Sequence, residues 1–166
     1  GTNPLRMIEY SISATLMQIS IALILGVWDR LTIIGVAVLT AVTMISGLIA
    51  EQLKYDRKSI AWVAHFNGWL SMIGVWVILG RQFLFTIEKS TEKPPNFVYA
   101  VVGVIGILYT GFALVQTADL ALTGDEKSVK RHRAVELAYC ALSLTSKTFL
   151  GWIIFGNALS GMATNN

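Results

Sequence analysis

The chain has 166 residues, 54% of them apolar and 14% charged, with a formal charge of +3 and a mean hydropathy of +0.61. An ordinary soluble domain carries about 25% charge, so the composition excludes disorder and argues against a water-soluble bundle. The basic residues sit in short clusters at the ends of long apolar runs, where lipid headgroups lie, which makes membrane lipid the surroundings and excludes nucleic acid as a partner.

Uncharged runs extend from Ser11 to Trp28, Leu31 to Ala50, Ser59 to Gly80 and Pro94 to Ala118, and a fifth from Leu137 to Asn166 is interrupted only by Lys147. Runs of this length predict membrane-spanning helices. The first covers about Pro4 to Val27, with Asn3 as its cap and Pro4 where a missing N–H costs nothing. A Trp28-Asp29-Arg30 turn leads into the second, about Leu31 to Leu53, and Lys54 to Lys58 forms a charged hinge. The third runs from about Ser59 to Phe85, and Pro94-Pro95 closes the polar loop after it. The fourth covers about Asn96 to Thr123 with Gly124 as C-cap. After a basic loop from Asp125 to Arg133, the fifth covers about Val135 to Leu159. The prediction is an all-α transmembrane bundle, one domain over residues 1–166, with no internal repeat and no soluble domain. No cleavable leader and no initiator Met are visible at the start, so the chain reads as trimmed or as a fragment.

Arg6, Lys54, Arg57, Lys58, Lys127, Lys130, Arg131 and Arg133 fall on one side of this topology, eight in all, against Arg30, Arg81, Lys89 and Lys93, four, on the other. Cytoplasmic loops carry the excess. The expected orientation in the cell membrane therefore has the N-terminal side cytoplasmic and the C-terminus outside.

Lys147 lies roughly 18 Å of helix from either end of the fifth span, too far for its own side chain to reach water. A lysine there faces the bundle interior at a cost of about 2.5–3.5 kcal/mol. Either it pairs with a carboxylate for packing specificity, or it has a chemical use, because burial favours the neutral amine that attacks an aldehyde. Glu9, on the cytoplasmic half of the first helix, is at a depth that allows a pair with Lys147; the alternative is a pair with Arg6 three residues away. Trp28, Tyr55, Trp62 and Tyr99 fall at helix ends, where interfacial rings are expected. Trp69, Trp76 and Phe112 lie deeper and serve either to wall an apolar ligand or as ordinary packing. His65 is a lone histidine with no Cys or carboxylate at metal-ligand spacing, so no metal site is expected. Cys140, the single cysteine, excludes an internal disulfide.

The stretches from Asn3 to Ser13 (NPLRMIEYSIS) and from Leu142 to Trp152 (LSLTSKTFLGW) resemble the third and seventh helices of heliorhodopsins, a family of retinal-binding seven-helix membrane proteins. The resemblance implies that five helices of a rhodopsin-like seven-helix fold are present, with two more preceding Gly1. It makes Lys147 the attachment site of all-trans retinal as a covalent Schiff base, and Glu9 its counterion. Ser143, one turn before Lys147, and Ser13, one turn after Glu9, would line the same cavity. Tyr109 and Gln116, seven residues apart, resemble the family's ring-side pocket residues, with Met44 lying against the chromophore. The implied protein is a light sensor rather than an enzyme, a homodimer with a signalling partner. Pumping is disfavoured because no intramembrane Asp or Glu lies between Lys147 and the outer face. The competing reading is a transporter or light-gated proton conductor that uses the Glu9/Lys147 pair.

Overall fold

In the computed structural model, residues 4–89, 96–123 and 129–164 are described. They form α1 (Pro4–Ile24), α2 (Arg30–Leu53), α3 (Lys58–Lys89), α4 (Asn96–Leu122) and α5 (Val129–Thr164). The expected Asn3 cap, Pro94-Pro95 stop and Gly124 cap lie outside the described residues. Arg30–Leu53, Lys58–Lys89 and Val102–Leu122 are long and apolar enough to cross a membrane, and Ile8–Ile24 is a shorter apolar helix.

Helix ends differ from the sequence expectation for local reasons. α1 stops three residues before Val27 because Gly26 takes the left-handed conformation, with φ 81°. The Val27 N–H then bonds the Ala22 carbonyl at 2.9 Å and the Gly26 N–H the Leu23 carbonyl at 3.0 Å, the paired bonds of a Schellman cap. Two carbonyls left over by that cap are taken up by α3: Thr86 Oγ1 donates to Leu25 O at 3.1 Å and Gln82 Nε2 to Gly26 O at 3.3 Å. These contacts fall in the last two turns of α3, which continues past Phe85 to Lys89. Asp29 caps α2, accepting from the Thr32 N–H at 2.8 Å and the Thr32 hydroxyl at 2.6 Å. α5 begins six residues before Val135, so Val129 to Arg133 is helical rather than part of the basic loop. Lys and Arg are good helix formers, and His132 sits 3.8 Å from Glu136 one turn on.

The chain divides into two compact units. The first contains α1, α2, α3 and the end of α4 from Gln116; the second contains α4 up to Val115 and α5.

In the first unit, α2 packs against both α1 and α3. Gln18, Ile21 and Ala22 form the buried stripe of α1, continued by Leu25 in the turn just after it, and Ala61, His65, Gly68, Met72, Val75 and Leu79 that of α3. Both follow the three-and-four spacing of one helix face. Where lipid replaces water, apolar surface gives little drive for helix association, and close backbone approach and hydrogen bonds take its place. A Cβ on Gly68 would stand 3.3 Å from Ser46 Cβ and 3.5 Å from the Thr43 carbonyl, so α3 approaches α2 closely there. Asn67 Nδ2 donates to Ser46 Oγ at 2.8 Å beside that approach. Large apolar side chains point outward instead: Val63, Phe66, Leu70 and Val77 on α3 are all more than half exposed, as expected of a lipid-facing surface. Hydroxyls are satisfied within their own helices, as in Thr15 to Ser11 O, Thr40 to Val36 O and Ser71 to Asn67 O, which removes the cost of an unpaired donor in hydrocarbon.

Candidate functional site

In the second unit, α5 carries Lys147 half-buried, 18 residues into the helix, with Ser143 one turn earlier and also half-buried. The hydroxyl of the neighbouring Ser146 is turned back onto the Leu142 carbonyl at 2.7 Å. α4 supplies aromatic side chains to this unit: Tyr109 is buried, and Phe112 lies edge-on to it at 6.3 Å between ring centroids. Phe112 in turn stacks on Tyr139 of α5 at 6.1 Å and 15°. Gly111 makes room beside them, since a Cβ there would come within 3.2 Å of Leu142 Cδ2. The unit thus holds a primary amine in mid-helix, a hydroxyl one turn away and a wall of three aromatic rings. That donor set suits an aldehyde with a long apolar body: the amine supplies the bonding atom and the rings supply an apolar flank.

The first unit holds the other residues singled out from the sequence. Glu9 is exposed on α1, and Met44 is half-buried on α2. Ser13 donates back to the Tyr10 carbonyl at 3.3 Å. Trp69 and Gln116 come together, joined by His65. The Trp69 Nε1–H donates to His65 Nε2 at 3.0 Å. His65 Nδ1 lies 3.1 Å from Gln116 Oε1, and Gln116 Nε2 donates to the Gly47 carbonyl at 2.8 Å. Thr117 Oγ1 sits 2.8 Å from His65 Nε2 and 3.4 Å from Trp69 Nε1. Gly47 is needed for this arrangement, because a Cβ would stand 3.3 Å from Gln116 Nε2.

His65, read from the sequence only as a histidine without Cys or carboxylate partners at metal-ligand spacing, is the hub between α3 and the end of α4, through Gln, Thr and Trp side chains. One signal for it was present. His65 and Trp69 are four residues apart on one helix face, and Gln116-Thr117 is a polar pair within an apolar helix, a pattern that points inward.

A second cluster, at the α2–α3 turn, gives Lys54 of the charged hinge a buried partner. Lys54 is 5% exposed and its Nζ meets Asp119 Oδ2, itself 7% exposed, at 2.5 Å. The adjacent Lys58 Nζ donates to the Thr123 carbonyl at 2.7 Å, and the Thr123 hydroxyl donates to the Asp119 carbonyl at 2.6 Å. The buried Ala50, Ala61 and Leu120 pack just inside these polar groups.

A family model described as Heliorhodopsin matches residues 1–159 of the chain. No curated protein matches it.

Proposed function

The chain belongs to the heliorhodopsin family and is a retinal-binding, rhodopsin-like membrane protein, and from that premise we propose that it is a light sensor with Lys147 as the covalent attachment site. The observation that carries this reading is the half-buried Lys147 in mid-helix, in the same unit as Ser143 and the Tyr109, Phe112 and Tyr139 rings. All-trans retinal, when bound as a protonated Schiff base, supplies visible absorption and a light-driven change of shape. Lys147 would hold it and Ser143 would offer an oxygen to the bound nitrogen, and the family resemblance assigns to Glu9 the negative charge that would keep a proton there. Tyr109 and Phe112 would flank the apolar body; the family resemblance, and no geometry, adds Trp69, Met44 and Gln116 to the pocket residues. The charge distribution supports a cytoplasmic N-terminal side and an external C-terminus. Signalling through a homodimer is favoured over pumping, because on the side of Lys147 away from Glu9 the helices of this chain carry no Asp or Glu except Glu88, one residue from the end of α3.

The test is spectroscopic. Full-length protein mixed with all-trans retinal is expected to develop a visible band that hydroxylamine bleaches, and Lys147→Ala to remain colourless. A Lys147→Ala protein that colours without added amine overturns the assignment.

A further inference from the structure

The reading above, by family resemblance, counts Trp69 and Gln116 among the residues that wall the retinal site, and they sit on different helices, α3 and α4. His65 contacts both. We propose that His65 is a positioning residue for that wall: as a neutral imidazole protonated on Nδ1, it fixes the orientation of the Trp69 indole and the Gln116 amide together.

The direction of every bond follows from two groups that can act in only one way. An indole N–H can only donate, so His65 Nε2, 3.0 Å away, accepts and carries no proton. The remaining proton of the imidazole is then on Nδ1. At the other end, a backbone carbonyl can only accept, so the Gln116 NH₂ faces Gly47 O. That leaves Gln116 Oε1 facing the ring, where it accepts from His65 Nδ1–H at 3.1 Å. Thr117 fits the same scheme, its hydroxyl donating to Nε2 and accepting from the indole. The scheme closes without a clash of two donors or two acceptors. His65 is itself 4% exposed and held edge-on between Trp62, at 5.9 Å, and Trp69, at 6.3 Å.

The consequence concerns rigidity. A glutamine and a tryptophan in a ligand wall are soft unless their torsions are locked by neighbours. Replacing His65 with Leu would strand an indole N–H and an amide oxygen in an apolar span, and both would turn to other partners. Gln at position 65 offers one N–H₂ donor and one acceptor oxygen, so it retains part of the tie.

Two measurements test the proposal. The first needs no retinal: ¹⁵N-histidine NMR on the retinal-free protein carrying His132→Gln, which removes the other of the two histidines. It is expected to show a neutral imidazole with a bare Nε2 and a protonated Nδ1. Hydrogen exchange of the Trp69 indole N–H is expected to be slow, to become fast in His65→Leu and to stay slow in His65→Gln. In the second, retinal-loaded His65→Leu is expected to bleach faster with hydroxylamine than wild type, with His65→Gln in between. Trp69→Phe, which removes the N–H, is expected to add little to His65→Leu, since both break one tie. An Nε2-protonated or cationic imidazole, or bleaching equal to wild type in all three variants, overturns the proposal. Because it rests on the retinal reading, the controls separate the two: a wild-type protein with no hydroxylamine-sensitive band defeats the parent reading, whereas a normal band that none of the variants alters defeats only the role of His65.

Discussion

Replacing Glu9 with Gln keeps the volume of the side chain and removes its charge, so the band of the retinal-loaded protein is the direct readout of its role. Without that charge the protonated Schiff base loses stabilisation, and the visible band is expected to give way to an ultraviolet one at lower pH than in wild type. A titration in chloride-free buffer checks this, and an unchanged midpoint assigns the counterion to another carboxylate. Asp29 uses its carboxylate to shape the chain, as the cap of α2. The Thr32 hydroxyl, followed by the Thr32 N–H, holds its carboxyl below the usual value of 3.8. A folded-state value below the unfolded one means that the cap's contribution is fully present above the ordinary carboxylate range and is lost as pH falls through the lowered value. Asp29→Ala is expected to lower the thermal midpoint at neutral pH, and the gap from wild type to close under acid conditions. Thermal unfolding followed by circular dichroism at several pH values measures it, and a gap that is constant with pH rules out the carboxylate as its source. Neither role was equally visible in the sequence: a Glu in an apolar helix is conspicuous, whereas Asp29 read only as part of a turn.

At the level of elements, the Lys54–Asp119 pair ties the end of α2 to α4 through two charges buried at 5% and 7% exposure. Removing one partner of such a pair leaves the other charge without compensation, at a cost of about 3–5 kcal/mol, while replacing both with apolar residues of similar size is often neutral. Asp119→Ala is therefore expected to unfold at markedly lower temperature in detergent, and Lys54→Met combined with Asp119→Leu to recover most of the loss. A double variant as unstable as the single one means that the pair carries more than mutual neutralisation. The pair also marks where sequence reasoning stopped. Helix number, order and approximate length follow from apolar runs, because a span must be long and uncharged wherever it lies. Lys54 stands 65 residues from Asp119, and next to Asp56, Arg57 and Lys58 it has the local signature of a solvated loop. Only the packing of Ala50 and Ala61 against Leu120 shows that this end of the unit is closed. The six extra residues at the start of α5 escaped for the same reason, since a basic segment is equally compatible with a loop and with a helix emerging from the membrane.

For the molecule as a whole, the distribution of titratable groups along all five helices bears on transport. Glu9, Glu51, His65, Asp119 and Glu136 lie toward the ends of their helices that the charge count assigns to the cytoplasm, and the carboxylate of α3 at the opposite end, Glu88, stands one residue from the helix terminus rather than within the span. Beyond Lys147, α5 continues from Thr148 to Thr164 without an Asp, Glu or His. α1 has none after Glu9, and α4 has none between Asn96 and Ala118. Sustained pumping needs groups that accept and release a proton on both sides of the chromophore, with a barrier that alternates between them. Groups on one side allow a proton to enter and return, which transports nothing. Illuminated cells or liposomes containing the full-length protein are accordingly expected to show no steady photocurrent and no protonophore-sensitive pH change, although brief charge displacement on each flash is expected as the Schiff-base proton moves relative to Glu9. Voltage clamp under continuous light distinguishes the two. A steady current whose reversal potential follows the proton gradient would identify a light-gated conductor. Glu9→Gln would then show whether the current passes this carboxylate, and His65→Leu whether it uses the α3–α4 hub instead.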